Sequence, residues 1–220
     1  MKNKNRPITF LDNQLLFPAV EMANPEGLLA VGGDLSPDRL LLAYQSGIFP
    51  WFNEDSLILW WSPDPRMVLF PEKIRITKSM RNTLNKGNFT VTKDRAFKEV
   101  IQECAGAYRP GQKGTWITEK MMEAYCRLHH KGVAHSYEVW ENNHLVGGLY
   151  GIDLGHVFCG ESMFSTTRDA SKFALIQLAK ELEKRNNAVI DCQLHTAHLQ
   201  SLGAELISRE EYLRILQREN

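Results

Sequence analysis

The stretch SYEVWENNHLVGGLYGIDLGHVFCGESMF, residues 136–164, decides the fold of this chain. Its apolar segments SYEVW and HLVGGLYGI flank ENN, a composition that favours the tight turn of a β-hairpin. The segment HVFCGESMF follows at once and predicts another strand of the same sheet. The stretch therefore predicts a hairpin and a third strand in one sheet.

Helical patterns lie on both sides of this stretch. Residues 95–106 place apolar side chains on one helical face, and Thr118 opens a second helix that ends at Gly132. A longer helix is predicted from about residue 169 to residue 185, and residues 188–193 (AVIDCQ) indicate a buried strand. The side chains expected inside the helices are Phe97, Val100, Ile101, Cys104, Met121, Met122, Tyr125, Leu128, His129, Leu175, Leu178 and Leu182.

The order helix, helix, hairpin, strand, helix, strand predicts an α/β (α+β) fold. It fits a mixed sheet with helices on both faces, as in GCN5-related N-acetyltransferases. The first sixty-odd residues differ, since they are rich in Pro, Gly and Trp and carry one short helix between Ser36 and Gly47. We therefore predict a small N-terminal domain, residues 1–65, and an acetyltransferase-like catalytic domain, residues 66–220.

Composition narrows the function classes. Of 220 residues, 43% are hydrophobic and 24% charged, which suits a packed core, and 26 basic residues balance 26 acidic ones. A balanced net charge disfavours an extended binding surface for duplex nucleic acid and favours contact with a small part of a nucleic acid.

The four cysteines form no close pair, so no metal site is indicated. Without a secretory signal or an apolar span, a cytoplasmic protein and no membrane contact are expected.

The segment before the long helix bears on the acyl donor. Acetyltransferases of this fold use a glycine-rich loop there, so that backbone N–H groups approach the pyrophosphate of coenzyme A. Here residues 168–173 read RDASKF, so that Ser171 and Phe173 occupy the glycine positions and Asp169 adds negative charge. The sequence therefore predicts no coenzyme A, and another acyl donor.

Several long motifs resemble one known family, that of the leucyl/phenylalanyl-tRNA–protein transferases. The resemblance extends from about Pro18 to Leu216. The motifs that carry it, in chain order, are GLLAVGGDLSPDRLLLAYQSGIFPWF, LWWSPDPR, GTWIT, HSYEVW, LVGGLYG, FCGESMFS and DCQ.

The resemblance implies an aminoacyltransferase. Its donor would be the 3′ end of leucyl- or phenylalanyl-tRNA, with methionyl-tRNA a poorer donor. Its acceptor would be a protein with N-terminal Arg or Lys, and its product an N-end rule degradation signal. No cofactor and no metal would be needed.

Such a transfer depends more on positioning of the substrates than on a strong base. An aminoacyl ester is already activated, and an α-amino group with a reference pKa of about 8 is roughly one-tenth neutral at pH 7. The enzyme must still remove a proton, stabilise charge on the carbonyl and supply an apolar slot for the Leu or Phe side chain.

Three polar residues are the candidates for this chemistry. Asp191 and Gln193, two positions apart on a strand, are expected to share a face, and the resemblance implies that they are the catalytic pair. Gln193 would lie nearest the amine, but a neutral amide is a poor base, so orientation is its expected role. Glu161, an acid in an apolar strand, would bind the α-ammonium of the esterified amino acid. A buried ion pair is the structural alternative for Glu161, and a satisfied strand end for Asp191.

Further substrate contacts rest mainly on the resemblance. Trp51 and Trp116 are expected to stack on the terminal adenosine, although core packing is the commoner fate of a Trp. The side chains predicted to line the amino-acid slot are Tyr125, Leu149 and Met163. The residues predicted to contact phosphates of the tRNA acceptor stem are Arg66, Lys78 and Arg81.

Two other functions remain compatible with the residues. One is a different amide-forming acyltransferase on the same fold. The other is a non-catalytic module that binds tRNA ends or N-terminal signals.

Overall fold

A computed structural model describes residues 8–107, 115–185 and 187–218 of the chain. Its main feature is a seven-stranded sheet of order β11-β5-β10-β9-β8-β7-β6. The strands are β5 (Arg66–Leu69), β6 (Thr90–Lys93), β7 (Ala134–Glu141), β8 (His144–Asp153), β9 (Val157–Ser165), β10 (Val189–Gln193) and β11 (Glu205–Ile207). Neighbours are antiparallel except β9 and β10, which are parallel.

The predicted hairpin forms around a two-residue turn. Glu141 pairs with His144, and Asn142 and Asn143 have φ values of 51° and 64°. Asn tolerates this left-handed conformation better than most residues, and two such residues in succession match the twist of the flanking strands. The turn therefore sets the register of β7 and β8.

Helices cover both faces of this sheet, which confirms the predicted mixed α/β architecture. The helices are α1 (Pro37–Gln45), α2 (Lys78–Asn85), α3 (Phe97–Gly106), α4 (Glu119–His130), α5 (Ala170–Leu182), α6 (Ala197–Ser201) and α7 (Arg209–Leu216). Apolar residues of α1, α3, α4 and α7 form one buried cluster, which we call the first cluster. Those of α2 and α5 form the second cluster on the opposite face.

The helix ends follow the sequence signals. The Ser36 and Thr118 side chains accept from backbone N–H groups three residues on, and so begin α1 and α4. Helix α5 joins the parallel strands β9 and β10, as a crossover connection must. It is shorter than predicted and ends at Leu182. None of the described helices has the length and apolar content that spanning a bilayer requires.

The N-terminal part builds a separate four-stranded sheet. Its strands, in the order β1-β2-β4-β3, are β1 (Thr9–Leu11), β2 (Leu28–Gly32), β3 (Phe49–Pro50) and β4 (Leu59–Trp61). Trp60 is completely buried and donates to the carbonyl of Gly32 at 2.9 Å. Because its side chain belongs to the first cluster, the small sheet shares a core with α4 and α7. The division into residues 1–65 and 66–220 stays a prediction.

The start of α5 lies unusually close to β8. A Cβ atom placed on Gly147 would come within 2.6 Å of the Ala170 Cβ and 3.2 Å of the Ser171 amide nitrogen. The Ala170 amide already donates a hydrogen bond to the Thr167 carbonyl, and the Ser171 amide donates one to the Ser165 hydroxyl. The first turn of this helix is therefore packed and hydrogen-bonded within the chain.

We expect Gly147→Ala to lower the free energy of unfolding by about 1–3 kcal/mol, because the added methyl group overlaps the backbone of α5. Gly106→Ala is the matched control, since it adds the same methyl group at the end of α3, where no atom of the described residues outside the local helix backbone lies within 4 Å. Urea denaturation measures both. Equal stability of the two variants would contradict this packing.

Candidate functional site

The site is built on a buried ion pair. Arg66, the first residue of β5, donates to both carboxylate oxygens of Asp191 in β10, with Nε at 2.8 Å and Nη2 at 2.7 Å. The two residues are 1% and 0% exposed. Burial disfavours the guanidinium charge, but the adjoining carboxylate outweighs this and raises the pKa of Arg66. The pair is therefore charged and locked in a two-point geometry.

Aromatic groups enclose the guanidinium. Its carbon lies 4.7 Å from the ring centroids of Phe49 in β3 and Tyr212 in α7. The Tyr212 hydroxyl donates to Asp191 Oδ2 at 2.9 Å, and Arg66 Nη1 donates to the Gly47 carbonyl at 3.3 Å. The cluster thus ties β5 and β10 to the small sheet and to the C-terminal helix.

Asp191 also fixes the backbone of its predicted partner. The Gln193 amide nitrogen donates to Asp191 Oδ1 at 3.0 Å. Gln193 has a φ of 57°, and the pairing of β10 with β5 shifts register between the two residues. The expectation that they share a face assumed regular alternation, which ends here. The two residues instead interact through a main-chain amide.

Strands β9 and β10 separate just beyond this point. Their pairing ends where Asp191 meets Cys159, although β9 continues to Ser165. Across the gap, Gln193 Nε2 donates to Glu161 Oε1 at 3.2 Å. Glu161 and Gln193 are both partly exposed, in contrast to Asp191. An accessible acid–amide pair thus borders the gap.

Glu161 is held by neutral donors. The Tyr125 hydroxyl donates to its Oε2 at 2.9 Å, and the Tyr44 hydroxyl contacts that of Tyr125. Burial raises the pKa of Glu161 to about 7, and the two tyrosine hydroxyl groups oppose this rise. The geometry does not support a buried ion pair for Glu161. In the described part of the chain, no Lys or Arg forms a salt bridge with this residue.

The cysteines beside the site are unsuited to nucleophilic attack. Burial and the Asp191 charge raise the pKa of Cys159 and of Cys192 well above that of an ordinary thiol. Because the thiolate is the nucleophilic form, neither side chain is activated. Neither cysteine is therefore a candidate nucleophile.

The predicted aromatic contacts occupy different environments. Trp51 is 41% exposed, and its ring makes an edge contact with Trp61 at 5.8 Å between centroids. Trp116 is partly buried against the first cluster. Gly114, of the motif that contains Trp116, lies outside the described residues. Trp51 is thus the more exposed of the two indoles.

The three residues predicted for the amino-acid slot are not brought together. Leu149 and Met163 are cross-strand partners in β8 and β9 and belong to the second cluster. Tyr125 is fully buried in the first cluster, and its hydroxyl is committed to Glu161. A register shift between β8 and β9 at Tyr150 and Gly151 precedes Met163 and disturbs the alternation of faces.

One predicted tRNA contact is wrong. Arg66 is completely enclosed by Asp191 and two aromatic rings, so its guanidinium is not available to a phosphate. Lys78 and Arg81, in contrast, are exposed on α2. Their contact with tRNA stays a prediction.

Sequence reasoning missed two residues of the site, Tyr44 and Tyr212. Tyr44 reads as one more core residue of α1, and Tyr212 lies in a Glu/Leu/Arg-rich segment without a motif. Both rings are buried, and each hydroxyl joins a polar group that lies far away in sequence. Local patterns carry no signal for such contacts.

We expect Asp191→Ala to lower the free energy of unfolding by about 3–5 kcal/mol, because it leaves the buried Arg66 charge without its partner. Glu205→Ala is the control. It breaks the exposed Lys73–Glu205 pair and should cost at most about 1 kcal/mol. Chemical denaturation of both variants gives the comparison, and equal losses would contradict the assignment of a buried, charged pair.

Comparison with known proteins bears on the identity of this site. The family model described as "Leucyl/phenylalanyl-tRNA protein transferase" matches residues 68–217, and the model for the N-terminal domain of that family matches residues 33–64. A leucyl/phenylalanyl-tRNA–protein transferase of Flavobacterium johnsoniae is 59% identical over 207 residues, covering 94% of this chain and 98% of the relative. One from Christiangramia forsetii is 56% identical over 209 residues, covering 94% and 99%.

Solved structures give a weaker likeness. A GCN5-related N-acetyltransferase from Kribbella flavida aligns with a TM-score of 0.38 and 9% identity, over 75% of this chain and 58% of that one. At these values the alignment has no bearing on function. The family matches, by contrast, include every residue of the site between Tyr44 and Tyr212 except Arg66, and the relatives align over nearly the whole chain. The chain therefore belongs to the leucyl/phenylalanyl-tRNA–protein transferases, a family of aminoacyltransferases.

Proposed function

We propose that the chain transfers Leu or Phe, and Met less well, from aminoacyl-tRNA to the α-amino group of proteins that begin with Arg or Lys. The transfer forms a peptide bond and creates an N-terminal degradation signal. The observation that carries the proposal is the accessible Glu161–Gln193 pair at the gap between β9 and β10. Asp191 holds the backbone of Gln193 in place by accepting a hydrogen bond from its amide.

Donor binding would use the acid of this pair. The α-ammonium of the esterified amino acid is a cation, and Glu161 is a partly exposed carboxyl group whose present partners are neutral. In its charged form, Glu161 would hold that ammonium and so place the ester carbonyl near Gln193. Trp51 would stack on the terminal adenosine, a contact worth about 1–3 kcal/mol.

Gln193 would orient the attacking amine. Its backbone is fixed by Asp191, so its side-chain amide occupies a defined place beside Glu161. The amide oxygen can accept a hydrogen bond from the incoming amine, while Nε2 donates to the carboxylate. Asp191 itself is neutralised by Arg66, so it would act by positioning Gln193 and not by direct contact with substrate.

Further residues would contact the donor. Leu149 and Met163 would line the amino-acid slot, and their adjacency across β8 and β9 supports a shared role. Trp116 would assist in adenosine binding, and Lys78 and Arg81 would contact acceptor-stem phosphates. The preference for N-terminal Arg or Lys and a cytoplasmic location rest on the family resemblance.

Coenzyme A is not the proposed donor. The first amides of α5, which would have to approach its pyrophosphate, are taken by Thr167 and Ser165. The Phe173 side chain, at a position of the expected glycine loop, is buried against Phe89 in the second cluster. This local packing supports a donor that enters without a pyrophosphate at this helix.

Transfer of labelled leucine from charged tRNA to a peptide that begins with Arg tests the proposal. We expect label in this peptide, and none in the same peptide with its N-terminal amine acetylated, because the free amine is the nucleophile. A peptide that begins with Asp tests acceptor specificity. Binding of aminoacyl-tRNA without transfer would instead indicate a non-catalytic module, and incorporation of acetyl groups from acetyl-CoA would overturn the assigned donor.

A further inference from the structure

Tyr44 is part of the site but comes from the N-terminal part of the chain. It is the eighth residue of α1 and is 1% exposed. Its hydroxyl meets that of Tyr125, which comes from α4. Two buried hydroxyl groups from separate helices thus share one hydrogen bond behind Glu161.

The direction of this hydrogen bond follows from the number of protons. Each tyrosine hydroxyl carries one proton, and Tyr125 donates its own to Glu161 Oε2 at 2.9 Å. Tyr125 can therefore only accept from Tyr44. Burial and the Glu161 charge raise the pKa of both tyrosines, so each hydroxyl keeps its proton. The result is a one-way chain from Tyr44 through Tyr125 to Glu161.

A donor chain of this kind favours a charged acceptor. Accepting a bond from Tyr44 polarises the Tyr125 hydroxyl and strengthens its own bond to the carboxylate. Since the two hydroxyl groups stabilise the ionised form of Glu161, they oppose the burial that favours its neutral form.

We propose that Tyr44 is a positioning residue for the transfer reaction, which acts through Tyr125 to hold Glu161 oriented and ionised for the donor's α-ammonium. The inference rests on the proposed function of Glu161. It gives the N-terminal helix α1 a direct part in the catalytic site.

Tyr44→Phe removes a donor that favours the carboxylate, so the pKa of Glu161 rises above about 7. The variant should bind the donor poorly at low pH and recover as the pH exceeds the new pKa. The titratable and charged groups that face Glu161, and that are unchanged by the substitution, are Tyr125 of α4, Asp191 of β10, Arg66 of β5 and Cys159 of β9.

The readout is the ratio of wild-type to Tyr44→Phe kcat/KM for aminoacyl-tRNA as a function of pH. Because both proteins use the same acceptor amine, its titration cancels in the ratio. A rise of one pKa unit would give a ratio of about eight at pH 6.5 and close to one at pH 9. A ratio that does not depend on pH would overturn the proposal.

Two variants provide controls. Tyr137→Phe removes a similar Tyr–Glu bond, to Glu181 at 2.7 Å, on the opposite face of the sheet, and should give a ratio independent of pH. Tyr44→Phe should have no further effect in a Tyr125→Phe background, because its path to Glu161 is already broken. An undiminished effect in that background would contradict the relay.

A direct titration separates this inference from the proposed function. The ¹³C carboxyl signal of Glu161 in the free protein should titrate at higher pH in Tyr44→Phe than in the wild type. This measurement needs no turnover. An unchanged titration in the folded variant would overturn the inference, whereas a wild-type protein that transfers no leucine would overturn the proposed function alone.

Discussion

The site depends on one buried interaction, the two-point ion pair between Arg66 and Asp191. A charged pair in the core is costly unless its geometry is good and its remaining hydrogen-bonding groups are satisfied. Here Tyr212, the Gly47 carbonyl and the Gln193 amide complete the set. With these partners the pair connects the neighbouring strands β5 and β10 to the loop before β3 and to helix α7, and it fixes the strand end that carries Gln193.

Glu161 and Asp191 differ in exposure and in hydrogen-bonding partners, and this contrast explains their different proposed roles. Asp191 is fully enclosed and neutralised by a cation, so it is suited to hold structure. Glu161 is partly exposed and surrounded by neutral donors, with a pKa raised to about 7 by burial. An acid in that condition gains more from a cationic ligand than one already paired. The donor's α-ammonium is such a ligand.

Much of the fold was predictable because local signals were strong. The caps at Ser36 and Thr118 and the Asn142–Asn143 turn act over a few residues, and the apolar periodicity of α3 is clear in the sequence. The functional site was less predictable from the sequence. Candidate acids stood out by residue type, but their partners lie up to 125 residues away, as Arg66 does from Asp191. Arg66 was therefore misread as a surface contact, and no local pattern marked the hydroxyls of Tyr44 and Tyr212.

The most direct test of this account is transfer activity in the double variant Arg66→Met/Asp191→Leu, measured beside its stability. An apolar pair can replace buried charges with little loss of stability, so the double variant should be more stable than either single variant. Its transfer rate should still be at least about a hundredfold below wild type, because the Gln193 amide has lost the acceptor that positions it. A double variant that transfers leucine at close to the wild-type rate would contradict the account.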